Sequence, residues 1–253
     1  MMEKLLGLPP LASEHGRHVD DLIIYMHWLM IALFVGWLVY FGYALMRFRR
    51  GRHPKADYVG VRSHASTYLE VAVAAVEGAL LVFLAVPWWA KAVDAFPDKS
   101  QATVVDVVGQ QFNWNVMYAD KNGEFGRQDM KFVSETNLFG LDPSDPRGKE
   151  DVQVVGLGEM HVPVNKPVLC YVSSKDVIHS FKVIAMRVTQ DAIPGMRIPL
   201  WFTPVKEGRY QINCAQLCGN GHSAMATGML VVESEAAFEK WLASKKGAAT
   251  SFE

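Results

Sequence analysis

The sequence predicts a membrane-anchored protein: a two-helix transmembrane hairpin, an all-β sandwich or barrel, and a C-terminal helix. Three observations predict it. Two apolar runs near the N-terminus are each long enough to cross a bilayer. Beyond residue 93, short runs rich in Val, Ile, Thr and aromatics recur between Pro- and Gly-bearing turns. The chain then closes on a segment whose Phe238, Trp241 and Leu242 share one helical face.

Residues 1–21 are polar and irregular, with Pro9, Pro10, Glu14, Asp20 and Asp21, and form an outer N-terminal segment. They lack the basic start and small-residue cleavage site of a removed signal peptide. The first span covers about 22–46, interrupted only by His27 and by small or aromatic residues. Arg47, Arg49, Arg50, Arg52, Lys55 and Arg62 follow it, opposed by Asp57 alone. Positive charge stays on the cytoplasmic side, so both the N-terminus and the chain beyond the second span lie outside. That second span covers about 69–90, with Tyr68, Trp88 and Trp89 at its ends as interfacial aromatics.

Glu70 and Glu77 lie within this second span, seven residues apart and hence on one helix face. A carboxylate in hydrocarbon is costly and faces protein or water; Glu70 is near enough to the cytoplasmic edge to snorkel to it. Two spans cannot enclose a pore, so a larger membrane partner is implied.

The hairpin region thus runs over 22–93 and the β domain over 94–233. Strands are predicted at 102–108, 152–155, 168–172, 177–184, 208–213 and 227–232. The polar stretch 120–151 is long for a loop inside a compact domain, which predicts a functional or interface-forming role. Ser234 caps the last helix, within a final segment 234–253 whose tail is predicted to fray.

The chemistry concentrates in Cys214-Ala-Gln-Leu-Cys-Gly-Asn-Gly-His-Ser-Ala-Met225. Within one short loop, Cys214, Cys218, His222 and Met225 offer two thiols, an imidazole and a thioether. Gly219 and Gly221 allow the turns that aim them inward. Soft thiolates with imidazole and a weak thioether suit copper, and two thiolates are available to bridge two copper ions. A disulfide or a zinc loop are the alternatives, although zinc has no use for Met225. The second imidazole that copper needs is assigned to His179, a polar residue in the apolar run Asp176-Val-Ile-His-Ser-Phe-Lys-Val183.

Other features exclude functions. The net charge is −1, and no basic stretch resembles a nucleic-acid surface. No Cys-x-x-Cys-His occurs, so no c-type haem is attached covalently. Cys170 reads as a small buried residue, and His161, in Met160-His-Val-Pro163, has no partner pattern.

In order along the chain, the two spans, Asp176-Val-Ile-His-Ser-Phe181, Asp191-Ala-Ile-Pro-Gly195 and the Cys-x3-Cys-x3-His-x2-Met loop resemble subunit II of haem–copper cytochrome c oxidase. The resemblance covers nearly the whole chain. It implies a cupredoxin-like Greek-key domain holding the binuclear copper centre CuA. Cys214 and Cys218 then bridge the coppers, His179 and His222 cap one each, and Met225 and the Gln216 backbone carbonyl are further ligands. Electrons from a c-type haem donor would pass to haem in the partner subunit I, where oxygen is reduced to water and protons are pumped. The implied setting is a bacterial inner membrane, with the copper domain on the periplasmic side among other membrane subunits and lipid. Glu70 matches a family glutamate at the cytoplasmic mouth of a proton path.

Three departures matter. Gln216 replaces the family's Glu and is a weaker ligand for a hard cation, which weakens the case for magnesium or manganese at the interface. Gln111-Phe-Asn-Trp114 replaces Gln-Trp-Tyr-Trp, so Phe112 takes the electron-input position and Trp114 alone is kept. The chain also carries no fused cytochrome c, which suggests a haem-c donor in a membrane supercomplex such as an alternative complex III. Two further readings are a tethered cupredoxin for electron carriage or copper delivery, and a copper-free quinol oxidase subunit.

Overall fold

The computed structural model describes residues 2–55, 58–60, 62–156 and 158–248. Asp57 and the tail after Ala248 lie outside the described residues. The chain divides into two compact units.

The first unit holds a short N-terminal helix, α1 (Met2–Leu5), and the long apolar helices. Helix α2 spans Gly16–Arg47, so it begins ahead of the apolar run. Its first turns are polar, with Arg17, His18, Asp20 and Asp21, and continue the helix rather than forming loop. The second span is composite: α3 (Ala65–Leu80), a π turn (Leu81–Ala85) and α4 (Val86–Asp94). Its irregularity follows from Pro87, which has no N–H to offer the preceding turn; the Val86 amide reaches back five residues to the Leu81 carbonyl. His18 stacks on Trp88 with ring centroids 4.9 Å apart, which brings the start of α2 against the end of the second span. Large apolar side chains such as Trp28, Phe34, Trp37, Phe41 and Phe83 are exposed along both helices. No water-facing helix presents so wide an apolar surface; both helices are long and apolar enough to cross a membrane.

The second unit is a sandwich of two five-stranded sheets. One has the order β3 (Val152–Val154), β2 (Asn113–Tyr118), β1 (Thr103–Gln110), β5 (Val168–Ser174), β8 (Ile198–Phe202). The other runs β4 (Glu159–Pro163), β10 (Gly228–Glu233), β9 (Gly208–Cys214), β6 (His179–Val183), β7 (Val188–Ala192). Each sheet contains one parallel pair, β1 with β5 and β4 with β10, among antiparallel neighbours. Period-two alternation sends Val105 and Val107 of β1, and Val168, Cys170 and Val172 of β5, into the core between the sheets. Trp114, Phe181, Phe202 and Ile212 fill it, each burial contributing roughly 1.5–3 kcal/mol. Burial pushes the Cys170 thiol far up, which keeps it neutral and inert.

The other face of β1 explains the long polar stretch. Asp106 and Val108 point away from the main core, and the 120–151 segment covers them. Leu138 and Phe139 pack on Val108 and Met117 as a second, smaller core. Asp106, with its side chain 4% exposed, takes two bonds from Arg197 and one from Gln128 Nε2 at 2.6 Å. Arg197 itself lies over the Tyr171 ring at 3.8 Å. The segment therefore packs on the outer face of a sheet.

Residues 8–17 belong to this unit and not to a loose tail. Ala12 is fully buried; its amide bonds the Ala185 carbonyl, and its own carbonyl accepts from the Val205 amide. Ser13 Oγ donates to the Met186 carbonyl. Helix α5 (Glu235–Ala248) closes the domain. The Ser234 hydroxyl caps it through the Ala237 amide, and Phe238, Trp241 and Leu242 face the core. Trp241 stacks on His161, whose Nδ1 lies 2.8 Å from Glu233 Oε1.

Candidate metal centre

Two strands and one loop bring the soft donors together. His179 opens β6 and Cys214 ends β9, and these strands pair with Phe181 opposite Cys214. The chain then leaves the sheet. Cys218 lies on the loop, and His222 and Met225 lie on a 3-10 turn, His222–Thr227.

The ligating atoms of His179, Cys214 and Cys218 all lie within 4.8 Å of one another. Cys214 Sγ is 3.9 Å from His179 Nδ1 and 3.1 Å from the Gln216 carbonyl oxygen. Cys218 Sγ is 3.4 Å from both His222 Nδ1 and Met225 Sδ. All three cysteines are free thiols. Thus the six donors foreseen in the sequence meet at one place, with His179 fully buried and Met225 nearly so. Burial, reinforced by the neighbouring Cys214, pushes the Cys218 thiol up to about 11. A metal must therefore displace a proton there to gain its ligand.

The surroundings hold the donors in orientation. His179 Nε2 lies 2.8 Å from Asp176 Oδ1. A carboxylate acceptor requires a proton on Nε2 and so leaves Nδ1 as a lone-pair donor facing Cys214. Burial alone raises the Asp176 carboxyl, but bonds from the Gln111 amide, His179 and the Val177 amide outweigh it and hold the group below the usual carboxylate range. The Gln111 side-chain amide donates to the Cys218 carbonyl at 2.7 Å. Neither role was foreseen. The three-residue spacing of Asp176 and His179 was a usable signal, whereas the reach of Gln111 across the domain had none.

Glycines at the site are steric requirements. A Cβ at Gly109 would stand 2.9 Å from the His179 ring, and one at Gly221 would stand 2.3 Å from Phe112. Phe112 thus lies directly against the Cys218–His222 loop. Trp114, only 1% exposed, meets His179 edge-on at 6.0 Å and Phe181 at 5.3 Å. It is a wall of the site and not a surface contact. Glu70 sits in the first turns of α3, outside this unit. A cavity of about 210 Å³ borders Asp106, Gln128, Tyr171, Lys175 and Arg197 and includes none of the soft donors.

A cupredoxin-like sandwich with a thiol–imidazole site, behind two membrane-length helices, defines the copper-centre domain of a respiratory electron-transport complex. A family model described as cytochrome c oxidase subunit II, periplasmic domain, matches residues 102–234. The alternative cytochrome c oxidase subunit 2 of Bradyrhizobium diazoefficiens is 31% identical over 94% of this chain and 83% of its own length. Cytochrome c oxidase subunit 2 of Cereibacter sphaeroides is 30% identical over 95% and 80%. Among solved structures, the periplasmic domain of subunit II of cytochrome oxidase (CoxB) of Bradyrhizobium japonicum is 30% identical, with a TM-score of 0.42, over 58% of this chain and 94% of that one. The chain belongs to the cytochrome c oxidase subunit II family and is a component of an oxidoreductase.

Proposed function

We propose that the outer domain holds a binuclear copper centre of the CuA type. Cys214, Cys218, His179, His222, Met225 and the Gln216 carbonyl would hold the metals, the two cysteines supplying the soft sulfur ligands and the two histidines the imidazoles. The convergence of these donors carries the reading. When bound, such a centre supplies one-electron transfer with little change in bond length. The chain's own part is to fix the ligands on a rigid β scaffold, so that little rearrangement accompanies the electron.

The subunit accepts electrons from a c-type haem donor for delivery to haem in subunit I, where oxygen is reduced to water with proton pumping. Phe112, half-buried against the ligand loop, is the electron-input residue, and Trp114 backs His179 from inside. The donor is a haem-c protein held in the membrane, such as an alternative complex III. Residues 8–17 pack within the same unit as the β domain. With the arginines between the spans, this supports a hairpin whose two ends stand on the periplasmic face of a bacterial inner membrane.

The test is metal content and electron paramagnetic resonance on the complex purified in mild detergent. Two coppers per chain sharing one unpaired electron, with a haem-c protein co-purifying, are expected. One zinc per chain, or a single-copper signal, would overturn the copper reading; full turnover with a soluble cytochrome c would overturn the membrane-held donor.

Glu70 is proposed to stand at the mouth of a proton path into subunit I. An exposed carboxylate near the start of a membrane-length helix motivates the assignment. Glu70→Ala is expected to slow proton-limited turnover with the copper spectrum intact; unchanged turnover would remove Glu70 from that role.

A further inference from the structure

The two halves of the site are held by different means. His179 and Cys214 stand on adjacent, hydrogen-bonded strands, so the sheet itself sets their separation. Cys218 and His222 lie beyond β9, where no strand pairing positions them. Their loop is closed locally by the His222 amide to the Gly219 carbonyl and the Ala224 amide to the Gly221 carbonyl, and its ends are tied to the sheet by the Ala215 amide to the Ser180 carbonyl and Gln211 Nε2 to the Ala226 carbonyl. Between those anchors, a further contact sets Cys218 against the strand-borne ligands.

Gln111, at the turn between β1 and β2, makes that contact twice over. Its side-chain amide donates to the Cys218 carbonyl at 2.7 Å. Its backbone amide donates to Asp176 Oδ2 at 2.8 Å, while the other oxygen of that carboxylate meets His179 Nε2 at 2.8 Å. One residue therefore joins Cys218 to His179 through an unbroken chain of hydrogen bonds. The fit is close: a Cβ at Gly219 would lie 2.9 Å from Gln111 Nε2. The next residue, Phe112, packs against the same loop.

We infer that Gln111 is a positioning residue: it brackets the loop-borne ligands Cys218 and His222 against the strand-borne ligands His179 and Cys214, presetting the site before metal arrives. The inference rests on the copper reading and adds a cause for the preset geometry. A site shaped in advance loses less conformational freedom on binding, and hydrogen-bonded supports of metal ligands typically govern affinity 10- to 100-fold.

The decisive variant is Gln111→Met, which keeps the length of the side chain and removes its donor. Measured on the full chain in its complex, copper affinity is expected to fall about 10- to 100-fold. The copper hyperfine pattern should broaden, because Cys218 and His222 are no longer held to one geometry. The thermal melting of the metal-free protein should stay near that of the parent, since the residue lies outside the main core. Gln111→Asn retains an amide on a side chain one methylene shorter, and its affinity should fall between the two; it serves as the deciding variant if Gln111→Met does not fold. Parental affinity and an unaltered hyperfine pattern in the variant that folds would overturn the bracket. Absence of a shared-electron copper signal in the parent protein would instead overturn the copper reading beneath it.

Discussion

Cys218→Ser is expected to abolish the shared-electron copper signal and to reduce oxidase turnover to background, while the domain stays folded. Serine nearly matches cysteine in shape, and the residue is 6% exposed at the end of a loop, so the structural cost is about 1 kcal/mol. The chemical cost is far greater. A neutral hydroxyl is a hard, weak ligand and cannot replace a soft bridging thiolate. His222 Nδ1 and Met225 Sδ, both 3.4 Å from Cys218 Sγ, lose the sulfur around which they are arranged. Metal content, paramagnetic resonance and oxygen consumption on one preparation check this. Survival of the shared-electron signal would show that Cys218 is not a bridge.

Arg197→Met is expected to destabilise the outer domain by on the order of 2–3 kcal/mol at neutral pH. That is below the span for breaking a fully buried pair, because the Arg197 side chain is 42% exposed. Asp106 is left behind, with its side chain 4% exposed and only Gln128 as a polar side-chain partner. Burial already raises the Asp106 carboxyl, and Arg197 is the principal group opposing that rise. Removing Arg197 lets it rise further. The native state then binds a proton that the unfolded state releases above about pH 4. Stability therefore falls as pH rises through and above that value, more steeply in the variant than in the parent. Melting temperatures at pH 4.5 and 7.5 test the sign, and Asp106→Asn combined with Arg197→Met should recover most of the loss. A loss independent of pH, or none recovered by the double variant, would refute an electrostatic cause.

The soft-donor set was legible because its chemistry is compressed into one loop: Cys214, Cys218, His222 and Met225 need no tertiary information to be noticed. His179 was legible as a polar residue in an apolar strand. The strands that went unread have physical reasons. β4, β7 and β8 are sheet edges; Pro163 in β4 and Pro199 in β8 interrupt the strand signal, as edge strands allow, and β7 is polar at Thr189, Gln190 and Asp191. β2 is interior, but Asn113 and Asn115, poor strand formers, interrupt its signal. The packing of the 120–151 segment was hidden because its length and polarity conceal the few apolar residues, Leu138 and Phe139 with Phe125 and Leu141, that pack on Val108 and Met117. Nothing local could reveal Gln111, whose partner carbonyl is 107 residues away.

The strap formed by residues 8–17 bears on how the chain is made. Ser13 bonds Met186 across 173 residues, and Ala12 is held by Ala185 and Val205. Synthesis releases Ala12 and Ser13 before either span exists, and their seat is completed only when nearly the whole β domain has emerged. The entropic cost of so late a closure grows only logarithmically with the intervening length, so the delay costs little in stability. It does impose an order. In the topology proposed above, a chain that crossed the bilayer only once would leave the strap on one side and its groove on the other, with Ala12 unburied. Closure of the β domain would then require both spans to be inserted.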